Sequence, residues 1–176
     1  NTFSGTVEID LEEEQEALIK TYDNQKTITD EEIKNNKEVI KEFRVRNADA
    51  SKKIKYNINL TNLINTYEKE ELSYTLEKNG EVIANNNVPK EGELTYLNYN
   101  QELLSGETDK YKLTIKNNKK TEEEKKFNAD IEIDTKEVTD SKPEALITLE
   151  NKTTNSITVN ASCIDTISGI KKYSFY

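Results

Sequence analysis

The sequence predicts an all-β chain built mainly as an antiparallel β-sandwich, and three observations carry that prediction. Apolar and polar residues alternate at period two in run after run, the signature of strands with one face buried. Asn79-Gly80 lies between two extended runs, the strongest short hairpin signal, because both central turn residues need positive φ. Leu, Ile, Val and Phe make up only about 23% of the 176 residues, so a core forms only if nearly all of them face inward. About seven strands over roughly 135 residues is a sandwich number.

The elements follow in order. Residues 1–11 place Phe3, Val7, Ile9 and Leu11 on one face, with Ser4, Thr6, Glu8 and Asp10 on the other, which predicts a half-buried strand. Residues 12–38 turn acidic and polar and read as a long excursion, with a short helix after Thr29, where Thr29 and Glu32 have capping-box spacing. Strands resume over 39–47, through Phe43 and Val45, and over 53–60, where Ile54, Tyr56, Ile58 and Leu60 are all in phase. A loop or helical turn is expected over 62–71. Leu72, Tyr74 and Leu76 then lead into the Asn-Gly hairpin, with Val82 and Ile83 beyond it. Residues 93–104 break the alternation at Leu94, Tyr96 and Leu97, which indicates a bulge or a short strand with a turn. Ser105-Gly106-Glu107 is a turn, and Tyr111, Leu113 and Ile115 form a clean strand. Residues 117–126 read as a solvated hairpin connection or a short exposed helix, and Phe127, Ala129, Ile131 and Ile133 form the last strand of the sandwich. Residues 136–144, with Pro143, form a linker. Residues 145–176 hold three further strand patterns, the third beginning at Ile170, too little chain for a second sandwich.

Composition excludes several functions. With no His, imidazole triads, HExxH zinc sites and imidazole acid–base catalysis are all ruled out. A net charge of −9, with Arg only at 44 and 46, disfavours nucleic acid and anionic membranes as partners. No run approaches the length of a transmembrane helix. The single cysteine, Cys163, cannot make an internal disulfide; in phase with Val159 and Ala161, it reads as a buried small hydrophobe. Met is absent throughout, and the chain is expected to be a mature or excised piece.

Three segments carry a family resemblance. Thr2-Phe3-Ser4-Gly5-Thr6-Val7-Glu8-Ile9-Asp10-Leu11, Lys41-Glu42-Phe43-Arg44-Val45-Arg46-Asn47 with Lys55-Tyr56-Asn57-Ile58-Asn59-Leu60 after it, and Leu103-Leu104-Ser105-Gly106-Glu107 through Tyr111-Lys112-Leu113-Thr114-Ile115 resemble the TasA/camelysin-like secreted proteins of Gram-positive bacteria. These proteins are exported with a SipW-dependent type of signal peptide. The resemblance covers about residues 1–135 and implies a jelly-roll-like sandwich, secreted to the cell surface or biofilm matrix, which in some members polymerises into fibres by β-strand addition. It places strand donation at Asn1, Thr2, Phe3 and Ser4. Residues 156–176 resemble the start of a bacterial immunoglobulin-like or fibronectin type III-like module, incomplete here.

Candidate sites are few. Acidic residues gather at 12–14, 30–32, 122–124 and at Asp130, Asp134 and Asp140, without the spacing of a calcium loop, so they read as solvated surface. Of nine Tyr, Tyr56, Tyr74, Tyr111 and Tyr173 are in phase with core positions, leaving Tyr96 and Tyr99 as candidates for a ligand loop. No catalytic set, cofactor site or metal site is expected. Lys–Asn isopeptide crosslinks carry no compositional signal in a chain so rich in both residues. The expected function is a non-enzymatic structural subunit of an extracellular surface or matrix fibre, partnered by copies of itself or by other surface proteins. The alternative is an adhesin module that binds a host or matrix ligand.

Overall fold

A computed structural model describes residues 17–120, 122–139, 144–152 and 157–164. The predicted strand over 1–11, with its proposed donor residues Asn1, Thr2, Phe3 and Ser4, lies outside them, as does the strand predicted from Ile170. The chain divides into two units between Glu137 and Val138.

The first unit is an antiparallel β-sandwich. Its strands are β1 (Leu18–Tyr22), β2 (Thr27–Ile28), β3 (Glu38–Asn47), β4 (Ile54–Asn65), β5 (Leu72–Lys78), β6 (Glu81–Asn87), β7 (Tyr96–Leu103), β8 (Thr108–Asn117) and β9 (Phe127–Asp134). One sheet has the order β1-β3-β8-β5-β6 and the other β2-β9-β4-β7. β3 lies beside β8 and β4 beside β9, so each sheet is closed by strands distant in sequence, and the connections cross from sheet to sheet. The second unit contains one antiparallel pair, β10 (Glu144–Lys152) with β11 (Ile157–Ile164), whose register shifts between Leu149 and Asn151. Cys163 pairs with Ala145 there.

Period-two patterning becomes burial. β3 alternates exposed and buried along its whole length, and β9 alternates buried and half-buried. Ile54, Tyr56, Ile58 and Leu60 are all buried, as are Leu72, Tyr74, Leu76, Tyr111, Leu113 and Ile115. Each such side chain contributes roughly 1.5–3 kcal/mol relative to exposure. Asn79 and Gly80 both adopt positive φ, at 52° and 87°, and join β5 to β6 as expected.

Four expectations are corrected. Residues 12–38 are not one excursion: within them lie β1, β2 and α1 (Asp30–Asn35). β1 is mostly exposed and β2 is only two residues long, so neither shows the alternation of a longer strand. α1 starts at the anticipated capping box: Thr29 Oγ1 accepts from the Glu32 N–H, and the Glu32 carboxylate accepts from the Thr29 N–H. Six residues are too few for an independent helix; fully buried Ile33 and the Lys41–Glu32 ion pair at 2.8 Å hold it down. Second, β4 continues through Asn62 to Asn65 instead of entering a loop at 62. Asn62 has φ 50° and the register slips between Thr61 and Ile64, a bulge that resets the phase and hides the strand from a period-two reading. Third, the bulge or short strand expected over 93–104 is present as β7 with its two register irregularities, but the candidate ligand loop is not, because Tyr96 and Tyr99 both lie in that strand. Fourth, 117–126 is no hairpin, because β8 and β9 belong to different sheets.

Candidate interaction surfaces

Edges and outward faces are where a sandwich meets partners, and the edge beside β9 is incomplete. β2 covers β9 only at Asp130 and Ala129, and the Ile131 N–H then donates to the Lys26 carbonyl at 2.8 Å. The Tyr22 hydroxyl takes the place of a strand by donating to the Ile131 carbonyl at 2.8 Å. In an antiparallel ladder alternate residues point their backbone groups to the same side, so Ile133 directs its N–H and C=O to this side as well. Among the described residues no backbone group pairs with Ile133 there. Ile133 lines a trough of about 450 Å³ together with Leu18, Lys20, Lys26, Asn59 and Glu132.

The trough continues onto the outward face of β9, where Asp130, Glu132 and Asp134 alternate with the buried positions. Thr27 Oγ1 donates to Asp130 at 2.6 Å and Asn62 Nδ2 at 2.8 Å; these two bonds hold its carboxyl below its ordinary range against a smaller effect of burial. Lys26 Nζ stands 3.7 Å from Glu132. Asp134 accepts from Asn57 Nδ2 at 2.6 Å and from the Lys136 N–H at 3.1 Å. An acid held below its ordinary range at neutral pH is a poor proton donor. Among the described residues no group of three or more His, Cys, Asp or Glu is placed to hold a metal ion.

No family model matches the chain, and no curated protein or solved structure matches it. Its surfaces must therefore be read from their own chemistry.

Asn57 joins the two outer strands of the β7–β4–β9 region. Fully buried, it accepts from the Asn100 N–H at 2.8 Å and donates to Asp134 and to the Lys136 carbonyl, both at 2.6 Å. β7 carries two register irregularities against β4, between Tyr56 and Ile58 and between Ile58 and Asn59, and Asn100 has φ 51°. Asn57 thus closes one bulge of β7 while fixing the end of β9. The bulges separate the two candidate tyrosines. Tyr96 pairs with Asn59 on the outward face, where burial, and secondarily the Asp134 charge, push its hydroxyl pKa up. Tyr99 is half-buried in the bulged stretch, and its carbonyl accepts from Gln101 Nε2. Neither lines the trough.

Inside the sandwich, a polar network ties the two sheets together. The Tyr56 hydroxyl donates to Asp109 Oδ2 at 2.6 Å and is hydrogen-bonded to the Tyr111 hydroxyl. Asn79 Nδ2 donates to Asp109 Oδ1 at 2.9 Å, and Lys78 Nζ lies 3.6 Å from Oδ2. Burial pushes Tyr111 up to about 12 and raises Tyr56 further, with the neighbouring Tyr111 adding to the effect. Asp109 was legible as an acid in phase with Tyr111, Leu113 and Ile115. Asn57 was not, because it is buried on the outward-facing phase of β4 by its neighbours, not by the core.

Proposed function

We propose that this chain is a structural subunit of an extracellular bacterial surface or matrix fibre, assembling by addition of a strand to the open edge of β9. The observation that supports this reading is the edge itself: a backbone ladder that stops beside Ile133, next to a trough that Leu18 and Ile133 line together with mostly polar side chains. An extended segment with alternate apolar residues fits such an edge, since its backbone completes the ladder while alternate side chains enter the groove. Residues 2–11 supply that alternation through Phe3, Val7, Ile9 and Leu11, with Asn1, Thr2, Phe3 and Ser4 at the donating end.

Deleting residues 1–11 should leave only monomers by light scattering and electron microscopy, and an added peptide of residues 2–11 should cap assembly of the intact chain. Fibres that survive the deletion would overturn the mechanism. The alternative, a ligand-binding surface module, draws on Tyr96, half-buried on the outward face near Asp134. Saturable glycan or protein binding that is lost in Tyr96→Ala would favour it.

A further inference from the structure

Strand pairing sets Lys78 and Gln101 on either side of the buried tyrosine pair. Lys78, at the end of β5, is the cross-strand partner of Tyr111, and Gln101 on β7 is the partner of Tyr56. Cross-strand partners share a face of their sheet, so Lys78 and Gln101 enter the sandwich from opposite sheets at the Tyr56–Tyr111 contact. There Lys78 Nζ donates to Gln101 Oε1 at 3.1 Å, and Asp109 Oδ2 lies 3.6 Å from the same nitrogen. The amide is fixed at its other end too, because Gln101 Nε2 donates to the Tyr99 carbonyl at 3.1 Å. Both contacts demand the same orientation of the amide, since an ammonium needs an acceptor and a carbonyl needs a donor. Asp109 is itself held by the Tyr56 hydroxyl and by Asn79 Nδ2. An amine, a side-chain amide and an acid thus converge where the Lys78 side chain is 22% exposed and that of Asp109 10%.

We propose that Lys78 and Gln101 join in an intramolecular isopeptide bond, with Asp109 as the proton carrier. Away from water an ammonium and a carboxylate in contact are costly, and passing one proton from Nζ to Asp109 removes both charges and leaves a free amine beside the amide carbon. Nζ then attacks Cδ of Gln101. The Nζ–Cδ bond forms, the Cδ–Nε2 bond breaks, and Nε2 leaves as ammonia after Asp109 hands it a proton and recovers one from Nζ. No oxidant or cofactor enters, and the rate comes from holding the two groups together. Composition gives no signal for such a crosslink in a chain so rich in Lys; the fold selects the pair. The bond ties β5 of one sheet to β7 of the other and closes the loop between residues 78 and 101. It constrains the unfolded chain as a disulfide does, in a chain whose single cysteine cannot make an internal one. It is independent of strand addition and needs no residue of 1–11.

Mass spectrometry of the full chain tests it. The folded wild type should be lighter than its sequence by one ammonia, and a tryptic digest should contain one branched peptide, uncleaved after Lys78, that joins Lys78 to Gln101. Lys78→Arg and Gln101→Met should both keep the full mass. Asp109→Asn, shown by circular dichroism to be folded, should form the bond roughly a hundredfold or more slowly. A wild type that stays at full mass would overturn the proposal. So would loss of ammonia without the branched peptide, as an imide at Asn79-Gly80 would give, or loss of water with Lys78 joined to Asp109. A bond that forms at the wild-type rate in folded D109N would remove Asp109 from the step.

Discussion

Replacing Tyr56 with Phe tests whether the buried polar network holds the two sheets in place. The ring is fully buried, and Phe keeps its packing. What disappears is the hydroxyl, which donates to Asp109 Oδ2 at 2.6 Å and is bonded to the Tyr111 hydroxyl. A hydrogen bond to a charged group contributes roughly 1.5–3 kcal/mol. Asp109 keeps Asn79 Nδ2 at 2.9 Å and the Lys78 ammonium at 3.6 Å, so it is not left bare, while Tyr111 retains only the long 3.5 Å contact from Asn98. The expected loss is therefore about 2–3 kcal/mol, which for a chain of this size is a fall of roughly 4–12 °C in Tm. Urea unfolding of the full chain, followed by circular dichroism, measures it directly. A double-mutant cycle with Asp109→Asn should show coupling of at least about 1 kcal/mol. A loss below about 0.5 kcal/mol, or additive single effects, would refute the assignment of Tyr56 as the link between β4 and β8.

Two further predictions follow from the same chemistry. Asn57→Asp should cost about 3–5 kcal/mol at neutral pH, because it removes two donors and places a carboxylate where Asn57 meets Asp134 at 2.6 Å; denaturant midpoints of variant and wild type should converge as the pH falls toward about 4, where carboxylates take up protons. Stability should decline at both ends of the pH scale. At the alkaline end, burial holds Tyr111 near 12 while the unfolded chain ionises it near 10.0, so stability falls as the pH rises between those values, by about 1.4 kcal/mol per pH unit for a fully buried group. At the acid end, Glu32 lies below its ordinary 4.5: burial pushes it up, but the hydrogen bonds from Lys41 and the Thr29 N–H outweigh burial. Its contribution is present above pH 4.5 and is lost as the pH falls through its folded value. Unfolding midpoints that stay flat across both windows would contradict these assignments.

Alternation by itself determined which residues form the sandwich interior. Wherever a strand is regular and one-sided, as in β3, β8 and β9, a period of two has a single solution that buries the apolar set, and Phe43, Leu113 and Ile131 could lie nowhere else. The Asn79-Gly80 turn and the Thr29–Glu32 cap were equally legible, because each depends on bonds and dihedrals within a few residues. The bulges of β4 and β7 hid part of their strands, since one extra residue reverses the phase that a pattern reading relies on. Strand order, too, was decided only by the tertiary structure. Which strands become neighbours depends on closing loops across the whole chain, and a local pattern does not encode it. That order leaves β9 uncovered beyond Lys26 and brings Asn57 between Asn100 and Asp134. The surfaces on which the proposed assembly rests are therefore properties of strand pairing, even though the residues that form them can each be read in the sequence.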